Sequence, residues 1–164
     1  MRTARTSRFE ELDTYLASSD PESMGWHEYA YEIAVEKLAV FDPMDWQKLR
    51  DAWRERPRSW RMCLATVLEP RHSSVAGELL LEAIDDPDAE ISFEALTRTY
   101  FYCGVLSVKG AVLVNPKIQV PLFLELARAS QTLPDQASRL AAQSSAHFRD
   151  EIEVFIRLLE TKSV

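Results

Sequence analysis

Carboxylates are the side chains through which this sequence could most readily act. From Ala76 to Leu96, AGELLLEAIDDPDAEISFEAL, seven acidic residues occur without a Lys or Arg: Glu78, Glu82, Asp85, Asp86, Asp88, Glu90 and Glu94. Paired carboxylates perform general acid–base work when a cleft holds them apart and drives their pKa values in opposite directions. Spread over two helical stretches and a turn, these read instead as a solvated acidic ridge, which speeds and orients encounter with a basic protein. From Lys48 to Arg61, six basic residues face only Asp51 and Glu55. The molecule is therefore expected to be strongly dipolar.

Other chemistry is sparse. His27-Glu28 opens like a zinc-protease helix motif, but Tyr31 stands where the second histidine would bind metal one turn later. His72 and His147 have no neighbours at ligand spacing, so no metal is assigned. Cys63 and Cys103 lie in apolar helical patterns without paired metal-ligand spacing, which predicts buried free thiols in a reducing compartment. Four glycines and no phosphate loop, nucleophile elbow or dinucleotide fingerprint leave catalytic and cofactor residues unassigned, and the chain is read as not an enzyme.

Aromatic residues offer two readings. Trp46, Trp53 and Trp60 recur every seven residues, as a base-stacking platform would, yet Leu49 and Leu64 share their faces and Pro57 interrupts the helix. They are assigned to the core. Tyr100 and Tyr102, on a second helix of a pair, are taken as contact anchors for a protein partner beside the seven acidic residues.

Length and charge bound the remaining classes. At 164 residues, with 46% hydrophobic and 27% charged residues, the chain suits one folded domain spanning 1–164, with 1–8 as a flexible leader. A net charge of −7 opposes general nucleic-acid binding, which needs an excess of Lys and Arg. No window approaches a membrane span and the arginine-bearing N-terminus lacks an apolar signal core, so a cytoplasmic protein is expected, with no membrane partner.

Helical periodicity supplies the elements. Phe9 to Ala17 forms a first helix, and Met24 to Leu38 a second through Trp26, Tyr29, Ala30, Ile33, Ala34 and Leu38. Asp42-Pro43 starts a helix running to about Arg56, and Pro57 opens its expected antiparallel partner. Ser73-Ser74 caps Val75 to Ala83, and Asp85-Asp86-Pro87-Asp88 turns the chain into Ala89 to Phe101. From Tyr102 to Pro116, valines and two glycines disfavour a continuous helix; a hairpin with Lys109-Gly110 at its tip, an apolar loop and a distorted helix all remain open. Helices ending near Ser130, from Leu133 to about Phe148, and from Asp150 to Leu159 complete the series.

The segment IDDPDAEISFEAL resembles the turn and second helix of a HEAT repeat, with Ile91 and Ala95 at its aliphatic and alanine positions. Ser92 stands where such repeats commonly carry Arg, which removes the usual inter-repeat Arg–Asp ladder. The resemblance implies an all-α fold, a short irregular HEAT-like α-solenoid of antiparallel helix pairs (an α-α superhelix), and the valines and glycines near 103–116 leave room for a small non-helical insertion. It also implies a protein that works by presenting surface. The chain is similar in size, acidity and helical character to bacterial immunity proteins, and the first expectation is a non-catalytic module that occludes a basic toxin domain, such as a nuclease. An adaptor holding a partner subunit or peptide is the alternative. A glycosylase-type enzyme with Asp51 among the Lys48–Arg61 bases is the third reading, and the net charge opposes it.

Overall fold

The computed structural model describes residues 6–161, and Arg2 and Arg5 of the expected leader lie outside the described residues. The protein is mostly helical, with nine α-helices and one two-stranded sheet among the described residues. None of these helices is long and apolar enough to cross a membrane. The chain gathers into two compact units, one ending at Leu79 and one beginning at Leu80.

The first described helix of the first unit is α1 (Arg8–Ala17), so Arg8, expected in the flexible leader, is helical. Ser7 accepts from Glu10 N–H at 3.1 Å while the Glu10 carboxylate accepts from Ser7 N–H at 3.2 Å. This capping box satisfies backbone donors that the first turn leaves open. Phe9, Leu12 and Leu16 are buried, as their helical spacing predicts.

The expected Met24–Leu38 helix is interrupted. A π turn over Trp26–Ala30 precedes α2 (Tyr31–Ala39). Its extra residue rotates everything downstream relative to an α-helical register. Trp26, Ala34 and Leu38 are buried, whereas Tyr29 and Ile33, expected on the same stripe, are 61% and 40% exposed.

Asp42 caps α3 (Pro43–Ala52) with Pro at the first position, and a 3₁₀ turn over Trp53–Glu55 ends the helix before the expected Arg56. Helix α4 (Arg58–Val67) follows. Trp46, Trp53 and Trp60 are all buried, which places them in the core. The expected antiparallel pairing of α3 with α4 is not the main contact: both pack on α1 more extensively than on each other, and α1 and α4 also pack on α2. Asp45 explains part of this choice. Its buried carboxylate accepts from Asp42 N–H at 3.1 Å and from Phe9 N–H at 3.2 Å, so one side chain serves the starts of both α3 and α1.

Helix α5 (Ser74–Ala83) contains the boundary between the units, and Ser73 Oγ accepts from Val75 N–H at 3.1 Å at its start. In the second unit α6 (Ala89–Tyr102) leads to β1 (Val105–Val108) and β2 (Ala111–Val114), an antiparallel hairpin pairing Val105 with Val114 and Val108 with Ala111. Lys109 and Gly110 have φ of 51° and 81°. Two consecutive left-handed residues suit a two-residue hairpin turn of the primed type, whose twist matches that of the strands. Of the three conformations open to this segment, the hairpin forms.

Helices α7 (Pro121–Ala129), α8 (Leu133–Ala142) and α9 (Ala146–Glu160) complete the unit. The expected Leu133–Phe148 helix breaks after Ala142, where Ser144 Oγ donates to Leu140 C=O at 2.6 Å and Ser145 takes an extended conformation. Serine side chains compete for backbone groups and favour such breaks. Helix α9 packs against α7, α8 and both strands, with Ile152 and Phe155 buried.

Candidate functional site

The α5–α6 turn is built by its own carboxylates. Asp86 Oδ1 accepts from Asp88 N–H at 2.9 Å, and Asp88 Oδ1 accepts from the N–H groups of Glu90 and Ile91 at 3.0 and 3.1 Å. Asp88 is thus the N-cap of α6, where the helix dipole favours negative charge. Ser92 Oγ donates to Ile84 C=O, which ties the first turn of α6 to the end of α5. The residue that departs from the repeat pattern therefore has a local structural use.

Asp85 stands exposed at this turn and accepts a hydrogen bond from the buried Gln136 side chain of α8. Beside that contact lies a pocket of about 250 Å³, lined by Asp85, Asp86 and Ser92 from one side and Gln136, Arg139 and Gln143 from the other. Two carboxylates, a guanidinium and two amides line it together with the apolar Ile84 and Leu140. Both carboxylates are tied into the fold, Asp86 by Asp88 N–H and Asp85 by Gln136. Gln136, Arg139 and Gln143 escaped the sequence reading. Their i, i+3, i+7 spacing marks one face of a helix, but it does not say which distant turn that face meets.

The expected contact residues scatter. Asp85 and Asp86 line the pocket and Asp88 caps α6; Glu82 is half-buried on α5 and Glu90 exposed in the first turn of α6. Glu94 pairs with Arg98 one turn on at 2.8 Å, while Glu78 belongs to the first unit, where it pairs with Arg50. Tyr100 and Tyr102 require correction as surface anchors, since they are only 4% and 7% exposed. Tyr100 Oη donates to Glu151 Oε1 at 2.9 Å, and burial together with this carboxylate pushes its pKa well above the usual phenol value. A phenol so placed packs and hydrogen-bonds inside the unit.

Glu151 itself is a second cluster. Ser107 Oγ donates to its Oε2 at 3.0 Å, and His147 Nε2 lies 3.6 Å from Oε1. Serine, carboxylate and histidine share this space, but the serine bonds directly to the carboxylate, so no imidazole base is interposed to activate it as a nucleophile. The buried carboxylate holds α6 and β1 onto α9.

The basic stretch of the first unit is also engaged internally. Arg56 meets Asp13 through two bonds of 2.9 and 2.8 Å, Arg50 pairs with Glu78, and Asp51 accepts from Gln47 Nε2 at 2.9 Å. Burial pushes the thiols of Cys63 and Cys103 up to about 12, and both are free and fully buried. They are inert as nucleophiles at neutral pH. No three His, Cys, Asp or Glu side chains converge as metal ligands among the described residues. No protein-family model, curated protein or solved structure matches this chain.

Proposed function

We propose that this chain is a non-catalytic protein-binding module that meets a basic protein through the acidic α5–α6 turn. One observation carries the reading: Asp85 and Glu90 are exposed at a turn whose shape is held by Asp86 and Asp88, inside a stretch of seven acidic residues without a basic one. Negative charge is thereby displayed on a preformed backbone, which favours fast, oriented encounter. Full burial of Ile91 and Ala95 behind the Asp88 cap supports a HEAT-like helix pair as the scaffold of that surface. Within this class the chain acts as an immunity protein, covering the active site or substrate channel of a basic toxin domain.

The test is co-expression with the C-terminal domain of a large secreted protein encoded by a neighbouring gene, followed by association kinetics with that purified domain. Protection of the cells is expected. Asp85→Asn with Glu90→Gln keeps hydrogen-bond acceptors while removing two charges, and should slow association about tenfold at low salt and little at high salt. Cells left unprotected would reject the toxin assignment, and association rates unchanged at low salt would reject the acidic turn as the docking surface.

A further inference from the structure

We infer that β2 is a docking edge for an extended, acid-flanked segment of a protein partner, a surface separate from the acidic turn. The sheet has only two strands among the described residues. Asn115 N–H donates to Gly104 C=O at 2.8 Å, and the pairs Leu106 with Leu113 and Val108 with Ala111 follow at alternate positions. Hydrogen-bonded pairs alternate with non-bonded ones in an antiparallel ladder, so Val112 and Val114 direct their N–H and C=O groups away from β1. No backbone among the described residues meets them there. After β2 the chain turns back, and Val120 N–H bonds Tyr102 C=O instead of running along this edge.

The side chains agree with the backbone. Leu106, Val108, Ala111 and Leu113 share the face opposite Ser107, whose hydroxyl binds Glu151 of α9. Val108, Leu113 and Val114 remain 45%, 38% and 39% exposed. Exposed apolar edges invite pairing; β2 is short, at four residues, and the other devices that blunt an edge are a charge, a proline or a bulge inside the strand. None stands within AVLV.

Charge selects the occupant. No Asp or Glu occurs between Glu94 and Glu125, while the exposed Lys109 and Lys117 bracket β2 at its two ends. A second copy of the same edge, paired antiparallel, would bring lysines towards lysines. An extended strand with apolar alternation and acidic ends would gain backbone hydrogen bonds, an apolar face and two opposite charges.

Amide exchange on the full chain tests this, with a synthetic peptide of alternating valine and threonine flanked by aspartates, and a lysine-flanked counterpart, as probes. In the dilute chain alone the Val112 and Val114 amides should exchange at least about tenfold faster than Leu113. The aspartate-flanked peptide should slow both, the lysine-flanked peptide neither, and Lys109→Glu with Lys117→Glu should reverse the preference. Lys117→Glu alone, outside the turn, keeps the test valid if the double variant disturbs the hairpin, and should weaken the preference. Slow exchange of both amides in the dilute chain, equal response to the two peptides, or protection that depends only on protein concentration would overturn the proposal; the last would assign the edge to a second copy.

Discussion

In the first unit the carboxylates of Asp13 and Asp45 are drawn into packing, one against the Arg56 guanidinium and the other against two backbone amides, whereas in the second unit Asp85 and Glu90 stand exposed and an apolar hairpin lies open. The same residue types therefore serve different ends. A carboxylate fixes a fold where backbone donors or a guanidinium surround it, and it adds negative charge to the surface where it stands exposed. Sequence density of charge does not separate these cases. Lys48–Arg61 looked as distinctive in sequence as Glu78–Glu94, yet Arg50 and Arg56 of the former are internal ties.

The units agree in one respect, a fully buried thiol each, and the largest expected effect tests that agreement. Burial raises both thiols from 9.0 to about 12, so the folded state holds protons that the unfolded chain releases. Their contribution is complete below pH 9 and is lost as pH rises through 12. Stability should fall on the order of 4 kcal/mol per thiol across that window. Denaturant melts at stepped pH measure it, and a thiol reagent that labels either cysteine in the native protein at pH 8 would contradict the burial.

Next comes the internal carboxylate of the first unit. Asp45→Ala leaves Phe9 N–H and Asp42 N–H without their acceptor and should cost about 3 kcal/mol in urea unfolding. A loss under about 0.5 kcal/mol would erase the contrast with the exposed turn. A smaller effect is expected for Glu151→Ala, the buried carboxylate of the second unit. Removing the acceptor of Tyr100 and Ser107 should cost about 2 kcal/mol, with loosened hairpin amides in hydrogen exchange. Unchanged hairpin protection would mean that Glu151 does not hold β1 onto α9.

Much of the local structure was legible because its signals are local. Asp42-Pro43 and the Asp85–Asp88 turn act within a few residues of themselves, through caps that neighbours hardly alter, whereas Lys109-Gly110 left three conformations open until the strands paired. Trp46, Trp53 and Trp60 entered the core as their apolar company implied. Helix continuity was less legible: the π turn at Trp26–Ala30 and the break before Ala146 depend on how a stripe meets its neighbours. Of the candidate site, the turn was found and its surroundings were not.

The sequence by itself determined that helices start at Pro43 and Ala89, that the chain turns between α5 and α6, and that one stretch carries seven negative charges beside an apolar frame. Tertiary structure alone decided that Tyr100 turns inward to Glu151, that Gln136 reaches Asp85, and that β2 pairs with β1 alone among the described residues. The first two join residues 51 positions apart, a separation over which no cap or periodicity reports. Burial and exposure are properties of what packs nearby, and a single sequence encodes that choice only through the whole set of competing contacts.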